Sequence, residues 1–398
     1  MPLTTTIEAL GQKGEGIATL DGVRVFVPFA LPNETVLIEA EGERGTLLEV
    51  LTPSPDRIEP FCPYFGTCGG CQLQHLGADA YIAFKTELVG TPLRYAGLDA
   101  KVERFVLAHG AGRRRATLHA RKDAAGYMRI RSHDVLNIEA CPILVPALQS
   151  RAPDIARALG AAVGECDISL TATNAGVDVA IRKAPKGTRV EKLVSLVNQL
   201  GLARLALDGE MIAQRQQPTV SMGKAEVDLP IGSFLQATAE AEQVLADYVT
   251  SAVGKSKTVA DLFCGIGPFA LRLAEKAQVH AADSDKAATA ALAKATRFAK
   301  GLKAITAKPR DLFRDPLTRF ELGFDAVVLD PPRAGAEAQV REIALSKVKR
   351  VVYVACDPKT FARDALILVQ AGFRLESLIA VDQFAWSTHI ELAATFTR

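Results

Sequence analysis

The chain has 398 residues, of which 48% are hydrophobic, and its net charge is only +2. This length predicts two or three domains with ample apolar side chains for their cores. No apolar run reaches the roughly 20 residues of a membrane helix, and the first eight residues lack the features of a signal peptide, so we expect a cytoplasmic protein.

The first 56 residues predict a small β-barrel, because short strands alternate with glycine-containing turns about every ten residues. The candidate strands are Thr5–Leu10, Gly16–Leu20, Val23–Pro28, Glu34–Ala40 and Thr46–Leu51. Small barrels of this kind often bind nucleic acid. However, residues 1–60 carry four Lys or Arg against ten Asp or Glu. This negative net charge argues against strong electrostatic binding of RNA or DNA.

A group of cysteines follows the barrel. Cys62, Cys68 and Cys71 form a C-x5-C-x2-C pattern, and the distant Cys141 precedes a proline. In a cytosolic chain, thiols are seldom paired in disulfides, whereas four thiolates can hold zinc or an iron–sulfur cluster. Three close cysteines with a distant fourth before proline favour [4Fe–4S]. The alternative is that these are ordinary buried cysteines.

Residues 57–232 predict a central α+β domain. Its predicted helices are Ala78–Leu93, Leu144–Gly160 and Lys192–Leu200, and its predicted strands are Ala116–Arg121, Gly126–Arg131, Asp167–Thr173 and Gly176–Arg182. Within it, residues 101–134 carry nine basic side chains against three acidic ones. Such a patch suggests a polyanion partner, with Arg113–Arg115 as candidates for phosphate contact. A solvated surface hairpin is the alternative.

From residue 233 onward, strands and helices alternate as a parallel sheet requires. Val259–Pro268 combines a buried strand, a glycine turn and a helix start, which is the opening unit of a nucleotide-binding fold. Asp283 ends the next strand and suits ribose hydroxyls. This pattern alone fits NAD equally well. Asp330-Pro331-Pro332-Arg333, at the end of a further strand, favours a methyltransferase.

Two residues near the C-terminus suggest a reaction. Cys356 follows the buried strand Val351–Ala355, where open α/β sheets place their sites, and Glu391 begins the last strand. A thiolate and a carboxylate suit methylation of carbon 5 of a pyrimidine. The thiolate adds to carbon 6 and activates carbon 5, and the base then removes the carbon 5 proton. A cysteine at a strand end, taken alone, is more often part of the core.

These motifs together resemble the RNA uracil-5-methyltransferases, and within them the iron–sulfur branch that acts on 23S ribosomal RNA. The likeness runs nearly end to end and includes Gly14–Ala18, Val25–Pro28, Cys62–His75, Asp330–Arg333, Ala355–Pro358 and His389–Glu391. It implies a multidomain fold. In this fold, we expect residues 1–56 to form a TRAM domain, which is an oligonucleotide-binding-like barrel. Residues 57–232 would form the α+β domain with the cluster. Residues 233–398 would form a Rossmann-like class I SAM methyltransferase domain.

The resemblance also assigns roles to residues. It implies that S-adenosylmethionine (SAM) is bound by Gln236, Phe263, Asp283 and Asp330, that the [4Fe–4S] cluster is bound by Cys62, Cys68, Cys71 and Cys141, and that Cys356 is the nucleophile and Glu391 the base. A contact of Asp311 near the adenine is a weaker inference. Thr238 stands where the family has asparagine, and Asp283 where glutamate is usual.

The first hypothesis is therefore a SAM-dependent uracil-5-methyltransferase that acts on 23S ribosomal RNA, with a monomer favoured and no membrane partner. The second is the same chemistry on tRNA or another RNA. The third is an inactive iron–sulfur scaffold that binds RNA. An inactive relative would be expected to lose Cys356, Glu391 or Asp330, and all three are present.

Overall fold

The computed structural model describes residues 1–121 and 124–398. The first sheet has six strands in the order β1-β5-β6-β4-β3-β2. Its strands are β1 Leu3–Thr6, β2 Ala9–Leu10, β3 Glu15–Leu20, β4 Val23–Pro28, β5 Thr35–Glu41 and β6 Arg44–Thr52. Because the edge strands β1 and β2 are consecutive in the chain, the sheet curls round on itself.

The single strand expected over Thr5–Leu10 is in fact two strands. The chain changes partners there, since the Ile7 amide donates to the Glu34 carbonyl at 2.9 Å and the Glu8 amide to the Ile17 carbonyl at 2.7 Å. This switch joins the two edges of the sheet around a small apolar core. The core side chains are Ile7, Ala18, Val25, Val27, Ala30, Val36 and Ile38.

Helix α1 (Ala78–Tyr95) and strand β7 (Arg104–Leu107) come next. Neither lies with the central sheet. Helix α1 packs against a helix near the C-terminus, Pro358–Gln370, and β7 adds a parallel edge strand to the C-terminal sheet. In space, residues 78–107 therefore belong with the C-terminal part, although in sequence they precede the whole central sheet.

The central sheet has seven strands in the order β10-β9-β8-β11-β12-β13-β14. Its elements are β8 Arg115–Arg121, β9 Ala124–Met128, β10 Val135–Asn137, α2 Arg151–Val163, β11 Cys166–Thr173, β12 Gly176–Arg182, α3 Val190–Gln199, β13 Arg204–Leu207 and β14 Glu210–Gln214. Helix α2 begins later than the expected Leu144, because residues 141–150 form turns. A separate two-stranded hairpin follows, β15 Thr219–Met222 with β16 Ala225–Asp228.

The C-terminal sheet has eight strands in the order β19-β18-β17-β20-β21-β23-β22-β7. Its elements are α4 Ala239–Ala252, β17 Thr258–Leu262, α5 Ala270–Leu273, β18 Gln278–Asp283, α6 Lys286–Phe298, β19 Ile305–Pro309, β20 Ala326–Leu329, α7 Glu337–Leu345, β21 Arg350–Ala355, α8 Pro358–Gln370, β22 Arg374–Asp382 and β23 Glu391–Thr397. Two apolar layers cover its faces, one with α4, α5 and α6 and the other with α1, α7 and α8.

The strand directions gather the polar residues at one edge. Strands β17, β18, β20 and β21 are parallel, and β23 runs antiparallel to β21. The carboxyl ends of the four parallel strands and the amino end of β23 therefore meet, at the edge where such sheets place their ligands. None of the helices over residues 1–121 and 124–398 is long and apolar enough to cross a membrane.

Candidate active site

The glycine turn after β17 is built around Asp283. The Gly265 amide donates to Asp283 Oδ2 at 2.9 Å, and the Asp285 amide to Asp283 Oδ1 at 2.8 Å. Each carboxylate oxygen keeps a further lone pair for a ligand. Gly267 has φ +93°, and a Cβ there would lie 2.5 Å from Leu292 Cδ1. This glycine is thus required for the turn to pack against α6.

Phe263 lies at the start of the turn in a left-handed conformation, with φ +64°. Its ring contacts Phe313, with the centroids 5.4 Å apart and the planes at 56°. Asp311 supports Phe313, because its Oδ1 accepts the Phe313 amide at 3.1 Å. The structure therefore places Phe263, Phe313 and Asp311 together at one side of the turn, where an aromatic ligand ring could pack.

Gln236 and Asp330 close the other side of the turn. Gln236 Nε2 donates to Asp330 Oδ2 at 3.3 Å. Burial, and then the Asp283 carboxylate, raises the pKa of Asp330 to about 7. Two residues on, the Thr238 hydroxyl caps helix α4 by accepting the Ala241 amide at 3.0 Å. Threonine therefore serves at this position as an ordinary N-cap.

A third carboxyl group lies beneath the turn. Asp261 is fully buried, and neither of its oxygens has a hydrogen-bond partner among the described residues. Burial, and then the Asp330 carboxylate, raises the pKa of Asp261 well above its usual range. Three carboxyl groups thus converge on the turn, and a cationic ligand would favour their ionised forms.

Cys356 and Glu391 lie side by side at the mouth of this edge. The β21–β23 ladder pairs Ala355 with Leu392, so the next residues outward are Cys356 and Glu391. Burial raises the pKa of the Cys356 thiol to about 12, with smaller contributions from Glu391 and Asp330, and Arg333 acts in the opposite direction. The resting cysteine is therefore a thiol at neutral pH.

Glu391 is buried, and burial followed by the Asp330 carboxylate raises its pKa well above the usual range. A hydrogen bond from Gln383 opposes this shift. Gln383 Nε2 donates to Glu391 Oε2 at 2.8 Å. The site therefore combines a protonated thiol with a carboxyl group whose charge depends on its neighbours.

A buried ion pair between Lys85 of α1 and Asp382 of β22 anchors the segment before Glu391. Lys85 and Asp382 are fully buried with Nζ 2.7 Å from Oδ1, and Lys85 also donates to the carbonyls of Phe384 and His389. Tyr81 donates to Asp382 Oδ2 at 2.5 Å. Sequence reasoning missed this anchor. The available signal was Lys85 itself, a charged residue in the apolar stripe of α1.

The four expected metal ligands, Cys62, Cys68, Cys71 and Cys141, line one cavity together with Tyr127 and Arg113. Within the described part of the chain, no three His, Cys, Asp or Glu side chains are close enough to hold a single metal ion. The cysteine loop is fixed to β9, since the Gly69 amide donates to the Met128 carbonyl at 3.0 Å. Cys166 and Cys264 are buried elsewhere.

The expectation that Arg113–Arg115 contact phosphate is wrong for Arg114. This side chain is buried, and its Nη2 lies 2.5 Å from Glu242 Oε2 while its Nε donates to the Gln236 carbonyl at 3.0 Å. Burial, and then the neighbouring Arg114, lowers the pKa of Arg115. Arg114, immediately before β8, therefore supports the Gln236 backbone. The basic composition of the segment could not distinguish this role from phosphate contact.

A large cleft runs from Cys356 to the N-terminal sheet. Its lining includes Tyr95 from α1 and, beside the nucleophile motif, Arg333 and Lys359; from the N-terminal sheet and its turns it includes Lys13, Arg24, Phe26, Glu41, Glu43 and Arg44. Glu15, also in the lining, pairs with Arg131 at 2.5 Å. The acidic N-terminal sheet therefore presents basic side chains to the cleft as well as acidic ones.

Comparisons with known proteins agree with this architecture. Residues 190–398 match a family model described as tRNA (Uracil-5-)-methyltransferase. An uncharacterized RNA methyltransferase of Brucella suis biovar 1 (strain 1330) is 43% identical over 404 residues, covering 99% of this chain and 97% of the relative. The 23S rRNA (uracil(1939)-C(5))-methyltransferase RlmD of Pseudomonas savastanoi pv. phaseolicola is 32% identical over 98% of this chain and 93% of the relative.

A solved structure shares the fold over the whole chain. It is the Pyrococcus abyssi tRNA (uracil-54, C5)-methyltransferase in complex with S-adenosyl-L-homocysteine, with a TM-score of 0.79 and 22% sequence identity. The match covers 99% of this chain and 100% of that one. At this identity the likeness is one of fold, with a curled N-terminal sheet and a C-terminal Rossmann-like methyltransferase fold.

Proposed function

We propose that the substrate of this chain is one uridine of 23S ribosomal RNA. The chain belongs to the tRNA (uracil-5-)-methyltransferase family, whose members are SAM-dependent RNA-modifying enzymes. The observation that carries the chemistry is the adjacency of Cys356 and Glu391 at the sheet edge that also holds the glycine turn and Asp330. The reaction requires a nucleophile, a base and a methyl donor within reach of one ring.

In the first step, the Cys356 thiolate bonds to carbon 6 of the uracil, and carbon 5 becomes nucleophilic. The thiol must first lose its proton to solvent, because its pKa is about 12 in the resting chain. Arg333 favours the thiolate, and the positive sulfonium of the donor, bound near Asp330, would favour it further. Carbon 5 then takes the methyl group, and the donor leaves as a neutral thioether.

In the second step, Glu391 removes the proton from carbon 5. The electron pair of that C–H bond forms the carbon 5–carbon 6 double bond, and the pair of the C–S bond returns to Cys356. Loss of the positive sulfonium raises the proton affinity of nearby carboxylates. Glu391 therefore becomes a stronger base at the stage of the reaction that needs one.

We assign the donor site to Gln236, Phe263, Asp283 and Asp330. Asp283 lies at the end of β18, where a carboxylate can accept ribose hydroxyls, and its backbone donors leave lone pairs free. Phe263, with Phe313, offers a surface for the adenine. The cluster of carboxyl groups at Asp330 suits the sulfonium and amino groups of the donor.

We propose that the four cysteines hold a [4Fe–4S] cluster rather than zinc. Around one zinc ion, with zinc–sulfur bonds of about 2.3 Å, the thiolates must be close together, and no such group is present in residues 1–121 and 124–398. The four thiols nevertheless surround one cavity. Bound by Cys62, Cys68, Cys71 and Cys141, a cluster would supply a cross-link between the cysteine loop and Cys141.

The cleft between the N-terminal sheet and Cys356 is our candidate RNA site. Its basic side chains can contact phosphates, and the exposed Tyr95 can stack on an unpaired base. The target uracil must leave the RNA stack to meet Cys356. On this proposal residues 1–56 form a TRAM module, residues 57–232 the cysteine-bearing domain and residues 233–398 the methyltransferase domain, with residues 78–107 packed against the methyltransferase domain.

Two observations favour 23S ribosomal RNA over tRNA as the substrate. One is the set of four cysteines, and the other is the relative that is named for 23S rRNA. The test is methyl transfer from labelled SAM by the purified protein to transcripts of each RNA. We expect 5-methyluridine in 23S ribosomal RNA, with tRNA left unmodified. Methylation of tRNA alone would overturn the substrate assignment, and methylation of neither would favour an RNA-binding scaffold.

A further inference from the structure

One buried side chain joins the two halves of the active site. Gln383 follows the end of β22, is 1% exposed, and was not among the residues expected from the sequence. Its amide contacts Glu391 on one side and Gln236 on the other. No other described side chain hydrogen-bonds to Glu391.

The orientation of the Gln383 amide is determined by the backbone. The Ala237 N–H donates to Gln383 Oε1 at 2.7 Å, so the oxygen must face Ala237 and the NH2 group must face away from it. The Ala237 backbone is itself held, because the Arg114 amide donates to the Ala237 carbonyl at 2.9 Å. A rotation of the Gln383 amide would place two donors against each other.

Both protons of the NH2 group are then used. Gln383 Nε2 donates to Gln236 Oε1 at 2.7 Å and to Glu391 Oε2 at 2.8 Å. Because Gln236 accepts with its oxygen, its own NH2 group is turned toward Asp330, 3.3 Å away. One chain of hydrogen bonds thus runs from the Ala237 backbone to Glu391 and to Asp330.

We propose that Gln383 is a positioning residue that holds the base Glu391 and the donor-binding Gln236 in one fixed arrangement. This inference rests on the proposed function. The hydrogen bond that Gln383 donates stabilises the ionised carboxylate of Glu391, which is the form that removes the carbon 5 proton. It also presents the Gln236 amide to the methyl donor, so that one side chain serves both steps of the reaction.

The test separates the two steps in one reaction. A 23S ribosomal RNA transcript with tritium at carbon 5 of uridine is mixed with the full-length protein and SAM carrying a 14C methyl group. Tritium released to water measures proton removal, and 14C that stays on denatured protein measures the methylated adduct. In the wild type, we expect tritium release to keep pace with methyl transfer.

In Gln383→Met, which keeps the side-chain size but loses all three hydrogen bonds, the methylated adduct should accumulate. Tritium release should slow about 10- to 100-fold, the range for a lost hydrogen bond to a charged group. SAM should also bind several-fold more weakly in a direct binding assay. Gln339→Met is the matched control, because Gln339 is equally buried but bonds only to the Leu317 backbone.

The pH profile distinguishes positioning from general destabilisation. Loss of the Gln383 donation raises the pKa of Glu391, so tritium release from the methylated adduct should reach its maximum at a higher pH in Gln383→Met than in the wild type. The titratable groups facing Glu391 are Asp330, directly after β20, and Cys356, directly after β21. On β22, the neighbouring Asp382 is paired with Lys85 on α1.

If Gln383→Met does not fold, Gln383→Glu tests the same point, since it keeps the oxygen that accepts from Ala237 but loses the NH2 donors. It too should accumulate the methylated adduct. Tritium release equal to the wild type in a folded variant would overturn the positioning role. If the wild type itself transfers no methyl group to either RNA, the proposed function fails instead, and the two failures are thus distinguishable.

Discussion

Cys356 and Glu391 are neighbours because the β21–β23 ladder pairs Ala355 with Leu392. The two residues are far apart in sequence, and the antiparallel register brings them to the same end of the sheet. The Glu391 carboxyl contributes to the raised pKa of the Cys356 thiol. The pairing of nucleophile and base is therefore a property of strand register, which any shift of β23 by one residue would destroy.

Replacement of Glu391 by glutamine should trap the RNA on the protein. Glutamine keeps the shape of the side chain but cannot take the carbon 5 proton, so the bond from Cys356 to carbon 6 should persist after methyl transfer. A denaturing gel should show a slower band that contains both RNA and protein. The double variant with Cys356→Ala is the control and should show no band; failure of the single variant to form one would exclude Glu391 as the base.

Adduct formation should accelerate as the pH rises from 7 to 9. The pKa of the Cys356 thiol is raised to about 12, so the thiolate fraction grows with pH across this range and falls as the solution becomes more acidic. The rate is best measured in Glu391→Gln, where the adduct does not resolve. A rate independent of pH in this range would show that the thiol does not titrate before attack.

Arg333 should speed adduct formation, because its positive charge lowers the pKa of Cys356. In Arg333→Met, adduct formation should slow by about tenfold or less, and by the same factor at pH 7 and pH 9, since both lie well below the Cys356 pKa of about 12. Arg341→Met is a suitable control, since Arg341 forms an exposed pair with Glu337 on α7. A deficit that disappears at saturating RNA would instead indicate a role in RNA contact.

The buried pair of Lys85 and Asp382 should contribute strongly to stability. Lys85→Met leaves the buried Asp382 carboxylate without its lysine, although Tyr81 and His109 still contact it, and we expect a cost of about 3–5 kcal/mol in the free energy of unfolding. Urea denaturation would measure this change. Lys294→Met, which removes an exposed pair with Asp228, should change the free energy of unfolding by about 1 kcal/mol or less, and a similarly small effect for Lys85 would contradict the structural account.

Cys141 should be required for the iron–sulfur cluster. We expect protein purified without oxygen to contain iron and sulfide, and Cys141→Ser to lose most of both. Cys166→Ser changes a buried cysteine in the core of the central sheet and should retain its iron. Wild-type protein without iron under these conditions, or zinc in its place, would refute the assignment.

The sequence predicted the strands that carry the site better than it predicted the surroundings of those strands. The glycine turn, the end of β20 and the end of β21 each carry a local pattern of residue types, so they could be located before the structure was known. The role of Arg114 could not, because composition alone does not show that Glu242 lies beside it. Gln383 was missed for a similar reason, since its partners come from two other segments of the chain.

The placement of α1 and β7 shows another limit of sequence reasoning. Their local patterns predict a helix and a short strand, but not the sheet that they join. Strand β7 pairs with β22, whose residues lie more than 250 positions further along the chain. Only the tertiary structure brings Lys85 to the segment that precedes Glu391.

The most direct test of the central claim is nucleoside mass spectrometry of 23S ribosomal RNA and tRNA from cells that lack this protein. The cells would be complemented with the wild type or with Cys356→Ala. We predict that 5-methyluridine disappears from one fragment of 23S ribosomal RNA, returns with the wild type and stays absent with Cys356→Ala. Unchanged 5-methyluridine in 23S ribosomal RNA, or its full return with Cys356→Ala, would contradict the account.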